Sequence, residues 1–371
     1  MRCVLYCSLL LVFSTSAWAD DDVYQILRQD DAGYAEVVPG KKLTFPRDHL
    51  PHPDYRIEWW YLTANLIDSA GRDWGVHWTL FRQTLYPQGD VRGWNSNQVW
   101  MAHAAVSAPN GHVYEERFAR GGIGQAGVDH IDGRFEAWLD DWLWRGQGLE
   151  PLPGQLSIRL QDINVDLRMT MATPWVLNGD QGFSQKSAQG QASYYYSQPH
   201  IQIVGVIGLQ DQNVEVNGVG WLDREWSSQP LADNQPGWDW ISLHLNDGSA
   251  LMVYRLRHTA AGEAEAGAAE RSDDWISGTW IHPDGTAEAL SADDIRLQPL
   301  KNLAVKRKQQ GPLQLPLVWS LALPAKGSDH QWVVRAPEPD HWLETSFPYW
   351  EGPVIAEGVN PGVGYLELTG Y

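Results

Sequence analysis

Four carboxylates near aromatic residues are the first candidates for chemistry in this 371-residue chain. Glu58 precedes Trp59-Trp60-Tyr61, Asp223 follows Trp221, Glu225 precedes Trp226, and Glu351 follows Tyr349-Trp350. A carboxyl among indoles and phenols has two uses. Desolvation can hold it protonated near neutral pH, so that it works as an acid. Otherwise it accepts hydrogen bonds or pairs with a cation as a structural pin. Alternation puts Trp221 and Asp223 on one strand face, and Glu58 on the face of Trp60, opposite Trp59. Glu58 then reads as a partner of Arg56 or Arg82, or as a polar anchor at a cavity mouth. Asp223 reads as a proton donor or as an acceptor pinning a junction between domains. His77 and His103, in strand-like segments, offer polar groups in an aromatic cavity, or satisfied core positions. His49-x-x-His52 lies in a Pro-flanked loop without a clear third ligand, so spacing gives no metal site. No Walker-type loop or Gly-x-Ser-x-Gly elbow is present.

The elements that must position these residues read as strands. Trp59–Leu66 runs through Asp68-Ser69-Ala70-Gly71 into Trp74–Leu85, a hairpin with turn chemistry at its centre. The same grammar recurs at Ile201–Leu209 with Val214–Trp221, and at Trp240–Leu245 with Ala250–Arg257. A fourth hairpin turns at Pro283-Asp284-Gly285. In the Trp240 hairpin, Ile241, Leu243 and Leu245 alternate with Trp240, Ser242 and His244, which gives the strand two different faces. Helical periodicity is nearly absent; Ser291–Leu297 and Leu303–Gln309 have room for a turn or two. Gly121-Gly122-Ile123-Gly124 reads as a loop. Sequential hairpins point to antiparallel meanders that remove their edges by closing into barrels. The expected fold is all-β, two antiparallel barrels in tandem. The division falls in the polar stretch Ser227–Pro236, giving domains 20–232 and 233–371, with 260–269 an Ala/Gly/Glu-rich loop insertion.

Composition narrows the partners. Residues 1–19 read as an export leader: Met1-Arg2, an apolar run from Val4 to Phe13, then Ala17-Trp18-Ala19. The expected product is periplasmic or secreted. Both cysteines, Cys3 and Cys7, fall in that leader, so no disulfide or thiolate chemistry is expected beyond it. A net charge of −19 without a basic stripe excludes nucleic acid and anionic membrane surfaces as natural partners. The 21 tryptophans and 14 tyrosines imply thick aromatic cores or stacking surfaces for a flat or apolar ligand.

Several blocks resemble the AttH-type lipocalin-like family, which includes the carotenoid 1,2-hydratases. They begin with Phe45-Pro46-Arg47-Asp48-His49, His52-Pro53-Asp54-Tyr55 and Glu58-Trp59-Trp60-Tyr61. Ala102-His103-Ala104-Ala105, Tyr194-Tyr195-Tyr196-Ser197 and Gly220-Trp221-Leu222-Asp223-Arg224-Glu225-Trp226 follow in family order. Tyr349–Val354 and Gly364–Tyr371 close the chain. The resemblance implies two lipocalin-like barrels and, in its hydratase branch, water addition to an isoprenoid double bond without a cofactor. It sets Tyr194-x-Tyr196 where the hydratases carry His-x-Trp, and Trp221-x-Asp223 at their aromatic-x-Asp pair. The expected site is therefore Asp223 as acid, with Trp221, Tyr194 and Tyr196 as aromatic walls and Arg224 beside it lowering its pKa. Glu58, Trp60, His77 and His103 are further ligand-binding candidates.

The expected ligand is an apolar or amphipathic molecule, an isoprenoid, lipid or polyketide, held in a barrel mouth or at the domain interface. The alternatives are carbohydrate binding or hydrolysis, which needs two carboxyls about 5–9.5 Å apart across an open cleft, and a noncatalytic envelope component of a transport system.

Overall fold

The computed structural model of the chain describes residues 27–28, 32–89, 91–210, 212–259, 274–308 and 310–371. The expected leader, with Cys3 and Cys7, and the loop 260–269 lie outside the described residues. Among the described residues, no helix is long and apolar enough to cross a membrane.

The strands form two antiparallel sheets. The first opens with a meander of β1 (Ile57–Asp68), β2 (Asp73–Thr84), β3 (Gln98–Ala108) and β4 (Gly111–Arg120). A second run follows: β5 (Ala126–Ile131), β6 (Arg134–Leu139), β7 (Trp142–Gly146), β8 (Gly154–Leu160) and β9 (Ile163–Met171). Short β10 (Val176–Leu177) and β11 (Phe183–Gln185) pair with the long β12 (Ala192–Leu209), and β13 (Gln212–Ser227) ends the sheet. The order β4-β3-β2-β1-β13-β12-β9-β8-β7-β6-β5 joins the first strand to the last and leaves the seam between β4 and β5. The loop containing Gly121-Gly122-Ile123-Gly124 crosses that seam.

The second sheet repeats this plan. Its meander is β14 (Trp238–Leu245), β15 (Ala250–Leu256), β16 (Trp275–Ile281) and β17 (Ala287–Leu290). Then come β18 (Arg296–Val305), β19 (Leu313–Ala322), β20 (Gln331–Arg335), β21 (Trp342–Leu343), β22 (Tyr349–Gly358) and β23 (Gly362–Thr369). The order β17-β16-β15-β14-β23-β22-β20-β19-β18 again closes first strand on last. Both sheets curl into near-closed, barrel-like domains. All four expected hairpins form. The helical reading of Leu303–Gln309 is corrected: Leu303 and Val305 turn inward on β18 and pair with Leu315 and Leu313. Their period of two suits a strand. Ser291–Asp294 makes a single hydrogen-bonded turn.

Each barrel is filled by side chains. Trp78 and Trp144 meet edge to face in the first core, and Trp319 and Trp350 are fully buried in the second. Such close-packed interiors are cores. A third apolar cluster lies between the domains, joining Tyr61, Tyr195 and Trp221 to Trp240, Met252, Tyr254 and Tyr365. The outer faces of β1, β13 and β14 are therefore buried as well, which is why large apolar residues occur on both sides of these strands.

Gly75 on β2 makes that approach possible. A Cβ there would lie 2.5 Å from the Tyr365 hydroxyl and 2.6 Å from Pro353 Cγ, both on the second domain. Gly75→Val is expected to wedge the interface open and cost about 1–3 kcal/mol. Gly148→Ala, which meets nothing within 4 Å, is the control expected to stay near neutral. Paired urea titrations of the two variants check this.

Candidate functional site

Register places the polar side chains in lines across the first sheet. On the face toward the second domain, Ser197, Asp223, Tyr61, Thr79, His103 and Glu116 are successive cross-strand partners from β12 to β4. Two residues along each strand, Tyr195, Glu225, Trp59, Phe81, Met101 and Phe118 form a parallel row. Cross-strand partners share a face, so one row is largely proton-bearing and its neighbour mostly aromatic and apolar. The second domain faces them with Trp240, Tyr254, Tyr349 and Glu367. Between the two lies a cavity of about 320 Å³, with Asp223, Glu225, Glu367 and Lys186 among its polar lining and Trp59, Phe81, Met101 and Phe118 among its apolar lining.

Asp223 is the most highly organised group there. Oδ2 accepts from the Tyr195 hydroxyl at 2.6 Å, and Oδ1 accepts from Trp221 Nε1 at 2.7 Å and from the Ser197 hydroxyl. Trp240 of the second domain donates to the Tyr195 hydroxyl at 3.2 Å. Burial pushes Asp223 up to about 7 even against these three donors, and the charge of Glu225 adds to the effect. Glu225 itself is ion-paired with Lys186 at 2.8 Å. Burial would make that lysine easier to deprotonate, but Glu225 outweighs it and keeps the ammonium charged. Its Nζ also sits 4.2 Å over the Tyr254 ring.

A second acid centre comes from β22 and β23, where Glu351 and Glu367 are cross-strand partners. Burial holds Glu351 well above the usual carboxylate range, and the neighbouring Glu367 reinforces this. Burial likewise pushes Glu367 up to about 7. Two desolvated carboxyls side by side cannot both ionise cheaply, so they hold a proton between them. Tyr61 donates to Glu351 Oε1 at 2.8 Å and Trp238 to Glu367 Oε1 at 2.7 Å.

The expected grouping of Asp223 with Tyr194 and Tyr196 is corrected. β12 pairs Ser197 with Asp223 and Tyr196 with Arg224, so Tyr195 and Ser197 share the face of Asp223. Tyr194 and Tyr196 turn into the first barrel, packing near Trp226 and His49. Trp221 does accompany Asp223, but both look toward the second domain and away from the barrel interior. Arg224 turns inward too, binding Glu58, so its charge is directed away from Asp223.

Glu58 and Trp60 also lie outside the cavity lining. Glu58 is wholly buried between Arg82 and Arg224 and accepts from the His52 backbone N–H at 2.9 Å. The Arg224 guanidinium stacks 3.7 Å from the Trp60 ring centroid. His77 is buried behind the lining, bonded through Nε2 to Thr79 Oγ1 at 2.7 Å, with Nδ1 unpartnered among the described residues. His103 reaches the cavity through Tyr349, whose hydroxyl lies 2.8 Å from its Nδ1. His49 bonds Tyr196 and Glu150, and His52 bridges Asp48 and Glu58. Among the described residues, no group of three His, Cys, Asp or Glu side chains is arranged to hold a metal ion.

Tyr195, Ser197, Lys186, Trp240, Tyr349 and Glu367 complete the site and were not singled out by residue type or spacing. Glu367 carried a usable signal. It alternates with Leu366 and Leu368 and shares its parity with Tyr365, which puts a carboxylate on a strand apolar on both faces.

Comparison with known proteins agrees with this architecture. A family model described as AttH-like matches residues 36–371. The crystal structure of an AttH protein from Nitrosomonas europaea is 32% identical, covering 91% of this chain and 99% of that one, with a TM-score of 0.75. Kievitone hydratase from Nectria haematococca shares the fold at 12% identity and a TM-score of 0.63, covering 91% of this chain and 96% of its own. CghA in complex with Sch210972 is 11% identical with a TM-score of 0.52, covering 92% and 97% of the two chains. Comparison with curated proteins gave no match.

Proposed function

This chain belongs to the AttH-like family, and we propose that it binds an amphipathic organic molecule between its two domains and hydrates or dehydrates it without a cofactor. The observation that carries this reading is the buried Asp223, pushed up to about 7, on the lining of a largely aromatic cavity. A protonated carboxyl in such a place can deliver its proton to an alkene carbon. The Trp59 and Trp240 faces would stabilise the resulting cation, each by about 2 kcal/mol when desolvated. Water then adds to the cation, and one of its protons returns to the Asp223 carboxylate, so the net change is the addition of one water. Tyr195, Ser197 and Trp221 already point their donors at the carboxylate, which stabilises it between the two proton transfers. The hydratase named among the structural relatives is consistent with this chemistry at the level of fold.

The lining favours an amphipathic ligand over a sugar. Its aromatic row has few donors with which to satisfy a ring of hydroxyls, while its polar groups gather around Asp223, Glu225, Lys186 and Glu367. The leader-like residues 1–19 support a periplasmic or secreted setting. A carrier role beside an envelope transport system is the version of this reading in which the cavity binds without turnover.

Native mass spectrometry of protein gently purified from its own cells tests the reading. One class of amphipathic organic molecule is expected to copurify and to be identifiable after extraction. Protein that arrives empty and takes up no apolar probe would overturn it.

A further inference from the structure

The cavity touches a second set of proton-bearing groups that the hydration chemistry at Asp223 leaves unused. Tyr349, at the start of β22, lines the cavity. Its hydroxyl meets His103 Nδ1 at 2.8 Å, and the opposite nitrogen, Nε2, meets Glu116 Oε1 at 3.0 Å. Glu116 is fixed in turn by the Ser346 backbone N–H at 3.0 and 3.1 Å and by the Ser346 hydroxyl at 3.0 Å. Thus a carboxylate orients an imidazole, and the imidazole faces a phenol at the cavity wall. This is the order of parts in acid–base–nucleophile triads, with a tyrosine in the nucleophile's position.

The surroundings select one protonation pattern. Burial keeps His103 neutral. Burial alone would raise Glu116, but the His103 hydrogen bond and the Ser346 N–H outweigh it, so the carboxylate is ionised and can only accept. His103 therefore carries its proton on Nε2 and presents the Nδ1 lone pair to Tyr349, whose hydroxyl donates. Phe81 packs against the imidazole, and Tyr349 lies nearly parallel to it at 5.5 Å, which limits rotation of the ring.

We propose that Tyr349 is a second catalytic residue of this cavity, a phenol whose proton passes to His103 while Glu116 steadies the imidazolium. The phenolate then takes a proton from a weakly acidic group of the ligand, leaving that group as its anion, or adds to an electrophilic carbonyl carbon, whose C=O π pair passes to the carbonyl oxygen while His103 holds the phenolic proton. His103 and Glu116 are positioning residues. The inference rests on the interdomain cavity being the ligand site. Three strand spacings separate the columns of Asp223 and His103, about 14 Å, so the two stations address different parts of one ligand.

The probe is dansyl fluoride, a flat apolar sulfonyl fluoride. The phenol oxygen forms an S–O bond, the S–F bond breaks, fluoride leaves, and the phenolic proton goes to His103. Peptide mapping is expected to find the sulfonate ester at Tyr349. Its rate should fall about 10²-fold in His103→Gln and about tenfold in Glu116→Gln. Because His103 is wholly buried, the half-buried Glu116 variant keeps the test decisive if His103→Gln does not fold. Binding of 1-anilinonaphthalene-8-sulfonate, measured beside each reaction, reports whether the cavity is intact. Ester at Tyr61, Tyr195 or Tyr254, or labelling of Tyr349 at the same rate in the Glu116 variant, would overturn the relay and leave the cavity reading standing. Binding of the naphthalene probe without any labelling would do the same. If wild type neither binds that probe nor reacts, the cavity reading fails and the relay with it.

Discussion

Glu58→Ala is expected to destabilise the first domain by about 3–5 kcal/mol, a large part of the total stability of an ordinary domain. Glu58 carries its charge with no exposure to water and is matched by two equally buried guanidiniums, Arg82 and Arg224. Burial alone would raise its pKa, but the two arginines more than reverse this and hold it well below the usual carboxylate range. Removing the carboxylate leaves two cations in a dry interior without the charge that compensates them. Arg82 would keep Thr84, Gln98 and the backbone carbonyls of His52 and Tyr55, and Arg224 the carbonyls of Leu50, Trp59 and Glu225. These accept hydrogen bonds but carry no compensating charge. Glu58→Gln keeps the shape and should cost less. The sign with pH follows from the depressed pKa: the Glu58 contribution is present above the unfolded carboxyl pKa and is lost as pH falls toward the folded value. Urea titrations of wild type, Glu58→Gln and Glu58→Ala at pH 7 check the ranking. Equal stability of all three would mean that the ion-pair cluster contributes nothing.

Asp223→Asn has the opposite sign for stability and the larger consequence for chemistry. A carboxyl held at about 7 rather than 3.8 binds a proton in the folded state that the unfolded chain has already released. Stability from this group therefore falls as pH rises from about 4 to about 7 and stays lowered above that, by up to about 4 kcal/mol. Asn cannot ionise, so the variant should gain on wild type across that window. The gain is reduced because an amide replaces a carboxylate that accepts from Tyr195, Ser197 and Trp221. Turnover of the copurifying molecule should drop by about 10²- to 10⁴-fold, the usual contribution of a positioned general acid, while its binding persists. A variant that tracks wild type in stability from pH 4 to 8 would show that Asp223 is ionised throughout. Unchanged turnover would remove it from the mechanism.

The fold was legible because its signals are local. Hairpin turns such as Asn246-Asp247-Gly248-Ser249 and the alternation of Ile241, Leu243 and Leu245 need no knowledge of distant chain. The site depends on register, which is not local. Whether Asp223 keeps company with Tyr194 and Tyr196 or with Tyr195 and Ser197 is decided by a one-residue choice in the β12–β13 pairing, and a one-residue slip exchanges the two faces. Parity along β13 could place Trp221 with Asp223, yet it could not say which side was the barrel interior, because both sides mix aromatic and charged residues. The parity of Glu367 marked it as unusual, but its role and that of Tyr349 were hidden for a related reason: they act with residues more than a hundred positions away, Asp223 and His103, brought close only by the docking of two domains.

The interdomain cavity is the centre of this account, and filling it is the most direct test. Val99 lines the cavity from β3 and is only half-buried, so a tryptophan there enters the cavity without displacing the barrel core. Native mass spectra of wild type and Val99→Trp, prepared side by side, should show the copurifying molecule on the first and its loss from the second, with both proteins equally folded. Retention of the same molecule at the same occupancy by Val99→Trp would place the ligand elsewhere and contradict the account.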